Sequence, residues 1–308
     1  MLLLLSRLIS KLPLQTAIDL GRFLGLLCFY CLPIRYSVVV RNIRRALGED
    51  LPRSDVRRIA RDCYAQQGMY GIELLRLPSL TRETCDSIIE YHGMEHIEAA
   101  LARGKGVIIM ASHMDNTDYA GCGLALQGLP VCVTAREIHS KSLNAFLSAV
   151  RSSTGVTLIP PRKSKDLIQQ LLSENKLVCF VVDQHAAKYR SVVCTFFDLL
   201  ASTSHAPARF AYETGAVILP AYIYRIGHTG KHVGRFFAPF ELESPHSDHT
   251  ENLRHNTQRL NHIIEGWIRE HPGQWLWFHQ RWKVHDHPEG WDIPESLRHL
   301  VDQKRKRS

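Results

Sequence analysis

The stretch Val107-Ile-Ile-Met-Ala-Ser-His-Met-Asp-Asn-Thr-Asp118 decides how this chain is read. Val107 to Met110 has the texture of a strand buried on both faces, and a helix is predicted from about Thr117 to Gln127. The strand stops, the chain presents His113, and Asp118 follows five residues later near the start of the helix. Across a strand-to-helix turn, positions five apart can meet. A carboxylate on one imidazole nitrogen fixes the tautomer and supports the imidazolium formed when the other nitrogen takes a proton. This is the His–Asp half of the serine-protease arrangement without the serine. With no protein nucleophile, such a base would activate a hydroxyl on a bound acceptor. Asp115 and Asn116, between the pair, are read as turn-shaping or helix-capping residues.

Working outward, short apolar runs alternate with helical stretches. Val131-Cys-Val133 is a second strand, followed by a helix near 140–153. A helix over 163–174 leads into Leu177-Val-Cys-Phe-Val-Val182, the clearest strand. A helix over 203–214 precedes a long strand from Ala216 to Ile226, and a helix over 249–270 precedes the aromatic segment Trp275 to Trp282. Alternation of this kind predicts an α/β fold whose mixed, mainly parallel sheet is flanked by helices. Sites in such folds gather at the carboxyl ends of strands.

Residues 14–47 read as one or two apolar helices. Val56, Ile59, Ala60, Cys63, Met69, Ile72 and Leu75 predict a further helix over 53–77, with Ser54 and Asp55 in its cap region. The best apolar run, Phe23 to Ile34, is short of the roughly 20 residues a spanning helix needs, and it contains Pro33. Arg35, Arg41, Arg44 and Arg45 follow at once. A helix lying in the membrane surface with a basic flank fits this pattern better than a clean span, and a buried core helix is the alternative. The domain expectation is therefore membrane-associating helices over 1–50, a catalytic domain over 51–290, and a basic, disordered tail over 291–308.

The 308 residues carry a net charge of +8 and a hydrophobic fraction of 45%. That size can bury a sizeable core, and the charge suits anionic partners. The basic residues are spread out and not interleaved with aromatics as in a nucleic-acid module, so no nucleic-acid partner is expected. Of the eight cysteines, Cys28 and Cys31 form a lone C-x-x-C without the second pair that a zinc site needs. All eight are expected as free thiols.

The chain is similar to a known family in several ordered stretches. Gly93-Met-Glu-His-Ile-Glu-Ala-Ala-Leu-Ala-Arg-Gly-Lys-Gly-Val-Ile-Ile-Met-Ala-Ser-His113 resembles a segment of the bacterial lipid A biosynthesis acyltransferases. These late lauroyl/myristoyl transferases lie within the H-x4-D/E glycerolipid acyltransferase superfamily. Leu177 to Gln184 resembles the family's strand ending in Asp-Gln. Phe196-Phe197, Ala201-Ser-Thr203 and Ala208-Arg209-Phe-Ala-Tyr-Glu-Thr-Gly215-Ala-Val-Ile-Leu-Pro220 resemble its middle region. His271-Pro-Gly-Gln-Trp-Leu-Trp-Phe-His-Gln-Arg-Trp-Lys283 is similar to its closing motif, and Arg41-Asn42-Ile43 to its start.

The resemblance implies transfer of a fatty acyl group from a thioester, on acyl carrier protein or coenzyme A, to a hydroxyl of a glycolipid acceptor, a lipid A precursor first. It implies His113 as general base and Asp118 as its orienting carboxylate. Asp183, Arg136, Arg151 and Arg209 become substrate-binding candidates; Asp183 would position the site or pair with a basic residue, and Arg209 would bind phosphate or make an internal ion pair. No metal or redox cofactor is required. The implied location is the cytoplasmic face of a bacterial inner membrane, peripheral or with a single N-terminal anchor. Departures occur at Met114 to Asp118, at Asp198 where the family has Gly, and at His185-Ala-Ala187 where it has a Gly-rich turn. They leave the acceptor open among glycolipids, aminolipids and lysophospholipids. A rival of another class is a metal-dependent hydrolase using His113, Asp115 and Asp118, with Asp183 and His185 as further ligands. A serine esterase lacks its G-x-S-x-G elbow here.

Overall fold

The computed structural model describes residues 2–134 and 140–307. The chain opens with four helices: α1 (Leu2–Ser10), α2 (Leu14–Cys31), α3 (Tyr36–Leu47) and α4 (Arg53–Arg76). It continues through α5 (Arg82–Ile88), β1 (Ile89–His92), α6 (Met94–Leu101), β2 (Val107–Ala111), α7 (Thr117–Leu126), β3 (Val131–Thr134), α8 (Lys141–Ser153) and β4 (Thr157–Ile159). Next come α9 (Lys165–Ser173), β5 (Leu177–Val181), β6 (Ser191–Phe196), β7 (Leu199–Ser204), α10 (Ala206–Thr214), β8 (Val217–Arg225) and β9 (His232–Phe236). Three helices close it: α11 (His249–Glu270), the short α12 (Lys283–Asp286) and α13 (Arg298–Arg307).

Seven strands form one sheet in the order β1-β9-β8-β2-β5-β3-β4. All neighbours are parallel except β8 and β9. The central strands β2 and β5 are buried on both faces, which is why they read as unbroken apolar runs in the sequence. Alternate side chains serve opposite cores. Ile108, Met110, Val178 and Phe180 pack towards α3, α4, α11 and the tryptophan segment. Val107, Ile109, Leu177 and Leu219 pack towards α5, α6, α7 and α8. The α/β fold with a mainly parallel sheet between helices is the one the alternation predicted.

β6 and β7 form a separate antiparallel hairpin that sequence reasoning did not anticipate. Phe196 pairs with Leu199, so the connecting turn is the two residues Phe197 and Asp198, at φ +50 and +58. Positive φ at both positions matches the right-handed twist of a hairpin. It also explains why glycine suits position 198, and why aspartate, which tolerates the left-handed region, can replace it.

The N-terminal helices are joined closely to the rest. α2 buries Ala17, Ile18, Gly21, Gly25 and Phe29. Its glycines meet Gly68 of α4 so tightly that a Cβ on Gly68 would sit 2.1 Å from the Gly21 carbonyl oxygen. By length and composition α2 could cross a membrane, but this inner face runs along α4. Its outer face shows Phe23, Leu24, Leu27 and Tyr30, and α1 adds Leu3, Leu4, Leu5 and Leu8. Among the described residues, every large exposed apolar side chain except Tyr189, Ile226 and Phe237 lies between residues 3 and 34. α4 itself begins at Arg53 with no side-chain cap, so Ser54 and Asp55 lie inside its first turn and not at the cap.

The tail differs from expectation. Trp291, Ile293, Leu297, Leu300 and Val301 pack against Val193, Leu200 and Val284, where a disordered segment over 291–308 was expected. The apolar residues at 297, 300 and 301 have helical spacing, and the high charge of the last residues masked it. All eight cysteines are free.

Candidate active site

β2 and β5 are neighbours in parallel register, with Ala111 opposite Val181. Two residues beyond each of these positions stand His113 and Asp183. The sheet therefore delivers them side by side at its carboxyl edge, the usual place for a site in an open α/β sheet. His113 Nδ1 lies 2.6 Å from Asp183 Oδ1, and the His113 backbone N–H donates to Asp183 Oδ2 at 2.8 Å. Trp275 Nε1–H donates to the same oxygen at 2.6 Å. Asp183 is buried while a third of the His113 side chain is exposed. Burial pushes the Asp183 carboxyl up, but the His113 ring and the donated hydrogen bonds outweigh it and hold it below the usual carboxylate value. Asp183 thus stays ionised and fixes the imidazole through Nδ1. Among the described residues nothing hydrogen-bonds Nε2.

Asp118 does not take the place expected for it. Its Oδ1 accepts from Arg151 Nε at 2.6 Å and its Oδ2 from Tyr70 Oη at 2.8 Å. The five-residue spacing is genuine, yet α7 turns the Asp118 side chain towards α4 and α8, and the carboxylate on His113 comes from another strand. Burial favours neutral Arg151, but Asp118 more than offsets this and raises its pKa. Burial, then the Asp118 charge, raises the Tyr70 phenol well above its ordinary value, so it remains a donor.

Between the two pairs lies the turn 112–116. Asp115, at φ +43, points inward and not towards His113. Its Oδ1 accepts from Arg225 Nη2 at 3.1 Å, its Oδ2 meets His232 Nδ1, and Gln66 Nε2 donates to Oδ1. Glu73 binds Arg225 through both oxygens, at 2.5 and 2.6 Å, and His232 Nε2 at 3.1 Å. Asn116 donates to Glu73 at 2.9 Å and caps α7 by accepting from the Tyr119 N–H at 2.9 Å. Side chains of Glu73, Asp115, Arg225 and His232 are fully buried. Burial alone would keep His232 neutral; Asp115 and Glu73 outweigh it and raise the imidazole to about 9. Burial likewise opposes the Asp115 charge, but His232 and Arg225 bring the carboxyl down to about 2. The expected turn-shaping and capping roles of Asp115 and Asn116 match these contacts.

The closing aromatic segment seals the turn from the other side. Met114 bridges Trp275, Leu276 N–H donates to the His113 carbonyl at 3.1 Å, and Asp115 N–H donates to the Gln274 carbonyl at 3.1 Å. Asn42 of α3, itself buried, donates to the carbonyls of Trp277 and His279, both at 2.8 Å. Trp275, Trp277 and Trp282 are buried in the core. Arg281 is buried with them, donating to the Ser202 carbonyl and, at 2.5 Å, to Thr203 Oγ1. Desolvation lowers it to about 10. His279, half-buried beside the pair, is pulled by desolvation to about 4 and is neutral at ordinary pH.

The remaining candidates divide. Arg151 joins the site through Asp118. Arg209 lies on α10 and pairs with Glu213 at 2.8 Å on the surface, the ion-pair alternative and not the phosphate one. Arg136 lies outside the described residues. A metal site at His113, Asp115 and Asp118 does not form, because the three side chains are committed to three separate sets of partners. No group of three or more His, Cys, Asp or Glu among the described residues is arranged to hold a metal. Sequence reasoning missed Tyr70, Gln66 and Glu73, although their spacing sets them on one face of α4. It also missed His232, which sits in a short strand beside a glycine, and Arg225, which closes an apolar run.

The family model described as bacterial lipid A biosynthesis acyltransferase matches residues 1–284. A phosphatidylinositol mannoside acyltransferase of Mycolicibacterium smegmatis is 25% identical over 249 residues, covering 79% of this chain and 78% of its own length. A lipid A biosynthesis lauroyltransferase of Escherichia coli is 23% identical over 284 residues, covering 92% and 90%. A lipid A biosynthesis acyltransferase of Haemophilus influenzae is 23% identical over 215 residues, covering 70% and 64%.

Proposed function

The chain belongs to the bacterial lipid A biosynthesis acyltransferase family and is an acyltransferase, and we propose that it moves a fatty acyl group from a thioester donor to a hydroxyl of a membrane glycolipid. A lipid A precursor is the first acceptor. The observation that carries the mechanism is the contact between His113 Nδ1 and Asp183, which leaves Nε2 for the acceptor hydroxyl. His113 accepts the proton through Nε2 as the hydroxyl oxygen attacks the thioester carbonyl. Asp183 holds the ring and stabilises the imidazolium. Collapse of the tetrahedral intermediate breaks the carbon–sulfur bond, and the proton on His113 passes to the leaving thiolate. Asp118 takes a different part from the one its spacing implied: it orients Arg151, whose guanidinium is available to an anionic group of donor or acceptor.

The donor is acyl carrier protein or acyl-coenzyme A, and the net charge of +8 favours an acidic carrier and anionic lipid alike. The apolar outer faces of α1 and α2 rest in the inner membrane surface on its cytoplasmic side, with α2 lying along the membrane and not across it. A second acceptor, a phosphoinositol-type glycolipid, is favoured by the similarity to the mycobacterial enzyme over most of both chains. One experiment separates these: lipid mass spectrometry of cells carrying the native gene or His113→Ala. One lipid class lighter by a single acyl group names the acceptor and the chain length. No change in any lipid sinks the proposal.

A further inference from the structure

The buried cluster of Glu73, Asp115, Arg225 and His232 has no direct route to a substrate, yet it lies under the turn that separates the two halves of the site. Asp115 is the turn's left-handed residue, at φ +43. Its carboxylate is held by Arg225 from β8, His232 from β9 and Gln66 from α4, and its backbone N–H by Gln274. Glu73 closes the cluster and reaches Asn116, which caps the helix carrying Asp118. Gln274 in turn exchanges hydrogen bonds with the Arg225 backbone, at 2.7 and 3.0 Å. The turn residue Asp115 and the helix cap Asn116, both on the path from His113 to Asp118, are therefore tied into this cluster.

We propose that Glu73, Arg225 and His232 are positioning residues for acyl transfer, acting through Asp115 and Asn116 to hold the His113–Asp183 pair at a fixed separation from the Asp118–Arg151 pair. The inference rests on the role given to His113 above. Two carboxylates balance two cations, so the cluster as a whole is neutral while His232 is charged. His232 is faced by Asp115 from the turn, Glu73 from α4, Arg225 from β8 and the Tyr119 ring from α7, 5.6 Å away. Loss of its proton leaves the carboxylates with Arg225 alone and frees the turn to shift. A displacement of about 1 Å at a reacting centre costs on the order of 10²-fold in rate. Hydrophobic packing would stabilise the same volume as well or better, so the ionic groups bring direction to the turn rather than bulk stability.

The test uses the purified full chain, with lauroyl-coenzyme A as donor and phospholipid vesicles carrying a lipid A precursor as acceptor, reading thiol release. His232→Gln is expected to lower turnover at saturating donor about tenfold, with the donor KM within about twofold. Circular dichroism checks that the variant is folded at the assay temperature. Turnover of the folded variant within about twofold of native overturns the proposal. The native enzyme supplies the second measurement, independent of any variant's folding. Turnover is expected to fall reversibly as pH passes about 9, while circular dichroism stays unchanged. An alkaline fall that comes only together with unfolding overturns it equally. His113→Ala is assayed in parallel. If it retains turnover, the reading of the base has failed, whatever His232→Gln does.

Discussion

Two histidines sit within one hydrogen-bonded neighbourhood and have opposite chemistry. His113 spends Nδ1 on Asp183, leaves Nε2 without a partner among the described residues, and is a third exposed. His232 spends both nitrogens, on Asp115 and Glu73, and is fully buried. The first keeps a ring nitrogen open, as the proposed base must. The second already carries a proton, held by two carboxylates, and has no lone pair to offer. A histidine beside a carboxylate is therefore not by itself a base; what matters is whether its second nitrogen is spent.

The largest effect is expected at Asp183, the carboxylate that sets His113 apart from His232. Asp183→Asn keeps the shape but removes the charge behind the imidazolium, and should lower turnover on the order of 10³-fold in the thiol-release assay, with the donor KM little changed. Asp118→Asn should cost less turnover and raise a substrate KM. The reverse order would restore the pairing that the five-residue spacing implied.

At His232's cluster, removing one partner and stranding the others is expected to cost stability as well as turnover. Arg225→Met leaves two buried carboxylates with one cation and should destabilise the fold by about 3 kcal/mol in urea unfolding. An unchanged midpoint would mean that the cluster is not the electrostatic unit described.

A smaller effect follows from pH. The folded-state value of His232 lies above its unfolded value, so its contribution is fully present below the unfolded value and is lost as pH rises through about 9. The melting temperature should decline over that window, and His232→Gln should flatten the decline. The smallest effect belongs to Arg209, whose half-exposed ion pair with Glu213 is worth about 0.5 kcal/mol or less. Arg209→Ala should leave turnover and melting nearly unchanged; a large loss of turnover would return it to the binding site.

Much of the α/β core was legible because β2, β5 and β8 are apolar runs separated by helical patterns. The shorter β1 and β9 were not, since four or five residues with histidine and glycine carry too little periodicity. The hairpin β6–β7 was hidden because its turn uses Phe197 and Asp198 where a glycine would have announced it. At the site, His113 was legible from its place after β2, and Asp183 as a strand-end acid after β5. Their pairing was not, because spacing along the chain favoured Asp118.

The order of residues alone carries the alternation of elements, the apolar N-terminal helices, the family resemblance and the candidate base. Those features follow from local pattern, and local pattern is written in the order of residues. Tertiary structure decided which carboxylate touches that base, because β2 and β5 are adjacent only once the sheet assembles. It also decided that Glu73 and Arg225, 152 positions apart, share a buried ion pair. Electrostatic partners in a folded chain are set by distance in space and by burial, and chain order encodes neither.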